Sequence, residues 1–147
     1  MAQEKLNAKS VLATLNLILE AELAGVVRYT QYQFMVFGYS RIPIIQWLES
    51  QATESLLHAR QAGEMITHVG GQPSLKIGRL LDKPQKSIGD ILRSALEHER
   101  GAIKLYRELL ARVQGRSIVL EEYARSQIGT EELHLGEIEK MLRRPGD

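Results

Sequence analysis

Three glutamates and a histidine sit in this chain where its helical repeat otherwise places leucine, isoleucine and valine. Apolar residues recur at alternating spacings of three and four through four long stretches, with Gly and Pro gathered between them, which predicts four amphipathic helices. The first runs from about Ala8 to Phe37, with its seam at Leu12, Leu15, Leu19, Glu22, Val26, Tyr29, Gln33 and Val36. The second opens at Pro43, suited to a first helical turn, and closes at Gly70-Gly71; its seam is Ile44, Leu48, Gln51, Ser55, His58, Ala62, Met65 and Val69. Ser87 is the expected N-cap of the third, whose seam is Ile88, Leu92, Leu96, Glu99, Ile103, Tyr106, Leu110 and Val113 before Gly115. The fourth starts at Ser117, with Leu120, Ala124, Gln127, Glu131, His134, Ile138 and Met141 inward, and stops at Arg143-Arg144-Pro145-Gly146. Two short links and one long connection, about residues 70–86, describe an all-α four-helix bundle: two hairpins joined by a crossover between helices two and three, in a single domain over residues 1–147.

Glu22, Glu99, Glu131 and His134 should therefore point inward. An isolated carboxylate in a bundle core costs several kcal/mol even after relaxation, so these groups must be protonated, paired with Lys or Arg, or bound to a cation. No Lys or Arg occupies the seams of helices one, three or four, which favours the cation, and imidazole mixed with carboxylate favours iron, manganese or zinc over calcium or magnesium. Glu131 and His134, about 300° apart around their helix, can face one centre. On helix two the residue three before His58 is Ser55; Glu54 lies four before it, about 40° from it in the opposite sense, and can still share its face. The metal candidates are thus Glu22, Glu54, His58, Glu99, Glu131 and His134.

A faint repeat accompanies them. Glu22, Tyr29 and Glu54 recur 77 residues later as Glu99, Tyr106 and Glu131, whereas His58 to His134 is 76. Tyr29 and Tyr106 read first as core aromatics with a hydroxyl partner and second as ligand-orienting or redox groups; Tyr29 joins Glu22, Glu99 and Glu131 as a catalytic candidate. Glu97, His98 and Glu132 fall off the seams and read as surface groups, as does His68. Trp47, Phe34, Phe37 and Met35 read as core or subunit-contact residues.

Composition excludes several classes. Nineteen Lys and Arg against 18 Asp and Glu give no overall electrostatic case for nucleic acid or an anionic membrane. The absence of cysteine removes thiolate metal sites, iron–sulfur clusters and thiol nucleophiles, and suits a reducing cytoplasm. The start, MAQEKLNAKS, lacks a signal peptide's order of segments, and VLATLNLILEAELAGVV is broken by Asn16, Glu20 and Glu22, so no membrane span is expected.

The stretches AELAGVVRY, HARQAGEMITHVGGQP, LEHERGAIKLY and EELHLGEIEKML give the chain a resemblance to the bacterioferritins, within the ferritin-like superfamily, over nearly all its length. The resemblance implies a ferritin-like four-helix bundle and metal ligands at Glu22, His58, Glu99, Glu131 and His134, with the sixth position falling on Ser55 where family members carry glutamate. Glu54 stands where many of them carry another acidic residue. The haem-ligating methionine of that family corresponds to Leu56, which speaks against haem at the usual site. The chain also ends soon after helix four, without the fifth helix of the 24-subunit shell, so a homodimer is expected ahead of a larger cage.

The leading expectation is a di-iron protein that binds Fe(II) and oxidises it with O₂ or peroxide for iron storage or detoxification, a ferroxidase. The alternative, motivated by Ser55 and Leu56, is a non-catalytic subunit with a degraded metal site acting as a structural partner. DNA protection lacks a basic terminal arm for phosphate contacts, and rubrerythrin-like electron transfer lacks cysteines.

Overall fold

Asn7 opens α1 (Ala8–Phe34) by accepting the Ser10 amide on its side chain, and Ser87 and Ser117 cap α3 (Ile88–Val113) and α4 (Ile118–Leu142) in the same way. Each cap satisfies an amide that the first helical turn leaves without a partner. α2 (Arg41–His68) follows Ser40 with no side-chain cap. Gly70 and Gly115, at φ 90° and 74°, take the left-handed conformation that releases the chain from α2 and α3. The computed structural model describes residues 5–147; residues 1–4, which begin the polar start, lie outside that range.

All regular structure among the described residues is helical, and the order is the expected all-α bundle of two hairpins and a crossover. Two boundaries move. α1 ends at Phe34, not Phe37, yet Val36 stays fully buried beyond the helix end, so the apolar pattern outlasts the helix. α2 begins at Arg41, placing Pro43 at its third residue, still within the turn whose amides need no helical partner.

α1 packs on α2, α3 on α4, and α1 on α3. Two apolar clusters result. One, around Val11, Leu15, Ile18, Ala62, Ile66, Leu109 and Leu120, fills one end of the bundle; the other, around Tyr29, Tyr32, Leu48, Ile91, Leu92 and Ile138, fills the opposite end. The polar seam residues occupy the layer between them. α1 is long and apolar enough to cross a membrane, with a mean hydropathy of 1.6 in its most apolar window, despite Asn16 and Glu20; its Val11, Leu15 and Ile18 are buried against the other helices.

The crossover lies along α1. The Ser74 amide donates to Asn16 Oδ1 at 2.7 Å, the Gly78 amide to the Glu20 carbonyl at 2.8 Å, and the Arg28 guanidinium to the Arg79 carbonyl at 2.7 and 3.0 Å. A Cβ on Gly78 would stand 2.9 Å from the Glu20 oxygen, so only glycine allows this approach.

Candidate metal centre

Burying a glutamate at a seam position fixes where its carboxylate goes, because the helix backbone on either side is held by apolar neighbours. Glu22 follows Leu19 on α1, Glu99 follows Leu96 on α3, and Glu131 lies between Ala124 and Ile138 on α4; all three glutamates are at most 5% exposed. His58, between Ser55 and Ala62 on α2, is 4% exposed. The bundle thus brings its four helices' polar side chains into one layer.

His58 is the hub. Its Nδ1 lies 2.9 Å from Glu131 Oε1 and 3.4 Å from Glu22 Oε2, and its Nε2 lies 3.7 Å from Glu54 Oε1. Glu22, His58 and Glu131 each offer a ligand atom within 4.8 Å of the others. His134, half-buried, places Nε2 3.0 Å from Glu54 Oε2 and Nδ1 3.7 Å from Glu131 Oε2. Glu54, with its side chain 31% exposed, therefore turns inward between the two imidazoles despite standing one residue out of register. Ser55 is buried and contributes no carboxylate.

The two tyrosines complete the layer reciprocally. Tyr29 OH donates to Glu99 Oε1 at 2.6 Å and Tyr106 OH donates to Glu22 Oε1 at 3.2 Å. The faint repeat in the sequence is realised as this exchange: the tyrosine of each half orients the glutamate of the other. Each tyrosine thus has the hydroxyl partner expected of a core aromatic.

Without a cation, protons carry the compensating charge. Burial raises the Glu22 carboxyl, and burial together with the nearby Glu131 raises Glu99 well above the usual carboxylate range, so Glu99 carries the proton of that pair. Burial alone would raise Glu131 too, but the His134 and His58 imidazoles and the Glu99 proton pull it well below. Burial would lower His58, yet its bonds to Glu131 and Glu22 lift it to about 10. Glu131 beside His134 raises that imidazole as well. Burial and the neighbouring carboxylates push the Tyr29 and Tyr106 hydroxyls far up, so they remain donors.

The donor set fits a bound cation, with Glu22, His58 and Glu131 able to share one. Glu131 Oε2 is fully buried with no hydrogen bond, His134 Nδ1 standing 3.7 Å from it. Four carboxylates and two imidazoles converge, and no Lys or Arg side chain pairs with them among the described residues.

Sequence spacing missed one participant. His98, expected on the surface, is half-buried: its Nε2 stands 3.0 Å from where a Cβ on Gly25 would be, its ring centroid is 6.4 Å from that of Tyr29, and burial with the nearby Arg28 lowers its pKa to about 4. The available signal was Gly25 itself, since a glycine inside a helix costs about 1 kcal/mol and usually marks a close approach. Glu97, Glu132 and His68 are exposed as expected, Glu132 pairing with Arg107 at 2.7 Å. Phe34 and Phe37 are exposed, while Met35 and Trp47 are partly buried and pack against the Tyr29 cluster.

The fold has known counterparts. Three solved structures share the fold: a ferritin-like, diiron-carboxylate protein from Bacillus anthracis (TM-score 0.83, 24% identity, 92% of this chain and 97% of that one), a dodecameric thioferritin, the bacterioferritin-related protein from Bacteroides fragilis (0.86, 25%, 94% and 87%), and Dps from Thermosynechococcus elongatus (0.86, 14%, 94% and 93%). None of the curated proteins matches the chain in sequence. The family model of the ferritin-like domain matches residues 12–145, which takes in all four helices' polar layer, and the chain belongs to the ferritin-like family.

Proposed function

We propose that this chain is a ferritin-like di-iron protein that binds Fe(II) and oxidises it, in iron storage or detoxification. The observation that carries the reading is Glu54, whose carboxylate stands 3.0 Å from His134 and 3.7 Å from His58, supplying from one residue away what Ser55 lacks. Glu22, Glu54, His58, Glu99, Glu131 and His134 would hold the ions, manganese or zinc being accepted by the same donors. Bound iron would supply the electrons that reduce an oxidant. The chain's own part is to aim Glu99 and Glu22 through Tyr29 and Tyr106, to release the protons held on His58 and Glu99 as cations arrive, and to exclude bulk water with the apolar clusters on either side. Leu56 offers no axial ligand, and haem has no place in this reading.

Purified protein loaded anaerobically with Fe(II) is expected to develop ferric absorbance on adding oxygen faster than free Fe(II) does; an uncatalysed rate would sink the enzyme reading. Ser55 supports a second reading, a non-catalytic structural subunit. Metal analysis of the isolated protein separates the two, since two metals per chain oppose the second and none opposes the first. The family and the dodecameric Bacteroides relative support assembly into a homo-oligomer larger than the dimer expected from the sequence. We place this assembly in the cytoplasm, where a chain without cysteine is at ease.

A further inference from the structure

Residues 23–48 contain no aspartate or glutamate, and both cationic side chains among them are turned onto backbone carbonyls. Arg28 donates to Arg79 at 2.7 and 3.0 Å, and Arg41 donates to Val36 at 2.7 Å and to Gln33 at 3.0 Å. The turn from α1 to α2 lies in the middle of this stretch and is crowded with large apolar side chains. Phe34, Phe37, Tyr39 and Ile42 are each at least 59% exposed, and Pro43 beside them is exposed too. Inward of them Met35, Ile44, Ile45 and Trp47 pack on the Tyr29 cluster, so the exposed four are left outside a core that is already complete. An apolar patch of this kind marks a contact surface.

Cations ring the same end of the bundle. Leu81 and Ile88, which flank the end of the crossover, and Met141 and Leu142 at the end of α4 pack on this cluster together with Met35 and Ile44. Lys83, Lys86 and Arg143 are thereby brought to the end where the turn lies. All three are exposed, and none forms an ion pair among the described residues. The neighbouring cations are matched: Arg93 by Asp90 at 2.7 Å, Lys140 by Glu137 at 3.4 Å and Arg144 by Asp147 at 3.5 Å. The first acid of α2, Glu49, stands two turns beyond Ile42. A chain that is nearly neutral overall therefore carries a local positive excess around an apolar tip.

That combination selects the occupant. A second copy meeting the tip across a two-fold axis would set Lys83, Lys86 and Arg143 against the same cations of its partner. Single-stranded nucleic acid is held in a groove along which bases stack, whereas these side chains project from a turn. An anionic lipid surface satisfies both features: aromatic rings and isoleucine settle at the boundary between headgroups and acyl chains, while lysine and arginine meet lipid phosphates. We propose that the α1–α2 turn docks the protein on anionic membranes, with Phe34, Phe37, Tyr39 and Ile42 entering the headgroup boundary and Lys83, Lys86 and Arg143 contacting lipid phosphates. The docking is peripheral, since Val11, Leu15 and Ile18 of the apolar α1 are used in the bundle core. It needs no cation in the polar layer and stands apart from the metal reading.

Metal-free protein should cosediment with vesicles of phosphatidylcholine containing about a quarter phosphatidylglycerol, and should stay in solution with phosphatidylcholine alone. Phe37→Ser combined with Tyr39→Ser should weaken partitioning by about tenfold or more, as should Lys83→Gln combined with Arg143→Gln. These side chains lie outside the core, so far-ultraviolet spectra and lipid-free particle size by light scattering should match the wild type. Trp47, the one tryptophan, lies close to Ile42 along α2, and lipids brominated near the headgroup should quench its fluorescence in the wild type and not in the Phe37→Ser, Tyr39→Ser pair. Absence of vesicle binding, equal binding to both vesicle types, or binding untouched by the tip pair would each overturn the proposal. A changed particle size in the lipid-free tip pair would assign the turn to a second copy, and tip-dependent retention of a single-stranded oligonucleotide without vesicle binding would assign it to nucleic acid; either result overturns membrane docking.

Discussion

Glu54 stands one residue before Ser55, the position where the resemblance to the bacterioferritins implies a glutamate. Glu54 reaches the imidazoles from a flank of α2 that is partly open to solvent, so its carboxylate is not buried when no cation is present. Replacing it should weaken cation binding while sparing the fold: Glu54→Ala is expected to raise the dissociation constant of the weaker metal about 10–100-fold, the scale of losing a supporting ligand, in a calorimetric titration with cobalt(II), with little change in metal-free melting temperature. Gly25→Ala should do the reverse. Its methyl would stand 2.8 Å from Ser55 Oγ and 3.0 Å from His98 Nε2, so overpacking should cost about 1–3 kcal/mol by urea denaturation. That Glu22, His58, Glu99 and Glu131 are buried was legible from spacing alone, because a charge at a core position is conspicuous. The inward turn of His98 was not, since it depends on the space that Gly25 and Ser55 leave on two other helices, and periodicity treats each helix separately.

At the scale of the element, one helix start and one helix end were misplaced, those of α2 and α1, while the capped starts were written plainly. Ser87 and Ser117 cap where their sequence context places them, because a hydroxyl before an apolar periodic run has a defined amide to satisfy. Ser87→Ala and Ser117→Ala should each cost about 1 kcal/mol by denaturant unfolding, while Ser40→Ala, which removes no side-chain cap bond, should stay within about 0.5 kcal/mol. The end of α1 was misplaced because Met35, Val36 and Phe37 are helix-compatible apolar residues; the turn at Gly38, not any local breaker before it, decides where the helix stops. Between α2 and α4 the paired groups are polar throughout: Glu54 with His134, His58 with Glu131, and Gln61 accepting from Gln127 at 2.8 Å.

For the molecule as a whole, that polar layer links proton binding to stability. His58 has a folded pKa of about 10 against an ordinary 6.5, so the stabilisation from its protonated form is fully present below pH 6.5 and is lost as pH rises towards 10. Glu22 and Glu99, also raised, contribute in the same sense, their stabilisation being full below pH 4.5 and falling above it; Glu131, lowered, is stabilising above pH 4.5 and loses its contribution in acid. Metal-free protein should therefore melt at steadily lower temperature from pH 7 to 10. Cations need the same ligands deprotonated, so the gain in melting temperature on adding metal should widen over that range, as thermal scans with chelator and with cobalt(II) would record.

The reciprocal tyrosine bonds have a consequence for how the chain can be divided. Each hairpin carries one tyrosine and one glutamate whose partners lie in the other hairpin, and the strap joining them is bonded along α1 at Asn16, Glu20 and Arg28. A break after Asp82 leaves those anchors with the first piece and the Ser87 cap with the second. Fragments 1–82 and 83–147, coexpressed, are expected to find each other and copurify as a complementing pair. Continuous chains hold the means for the same trade, each lending its second hairpin to the first hairpin of a neighbour.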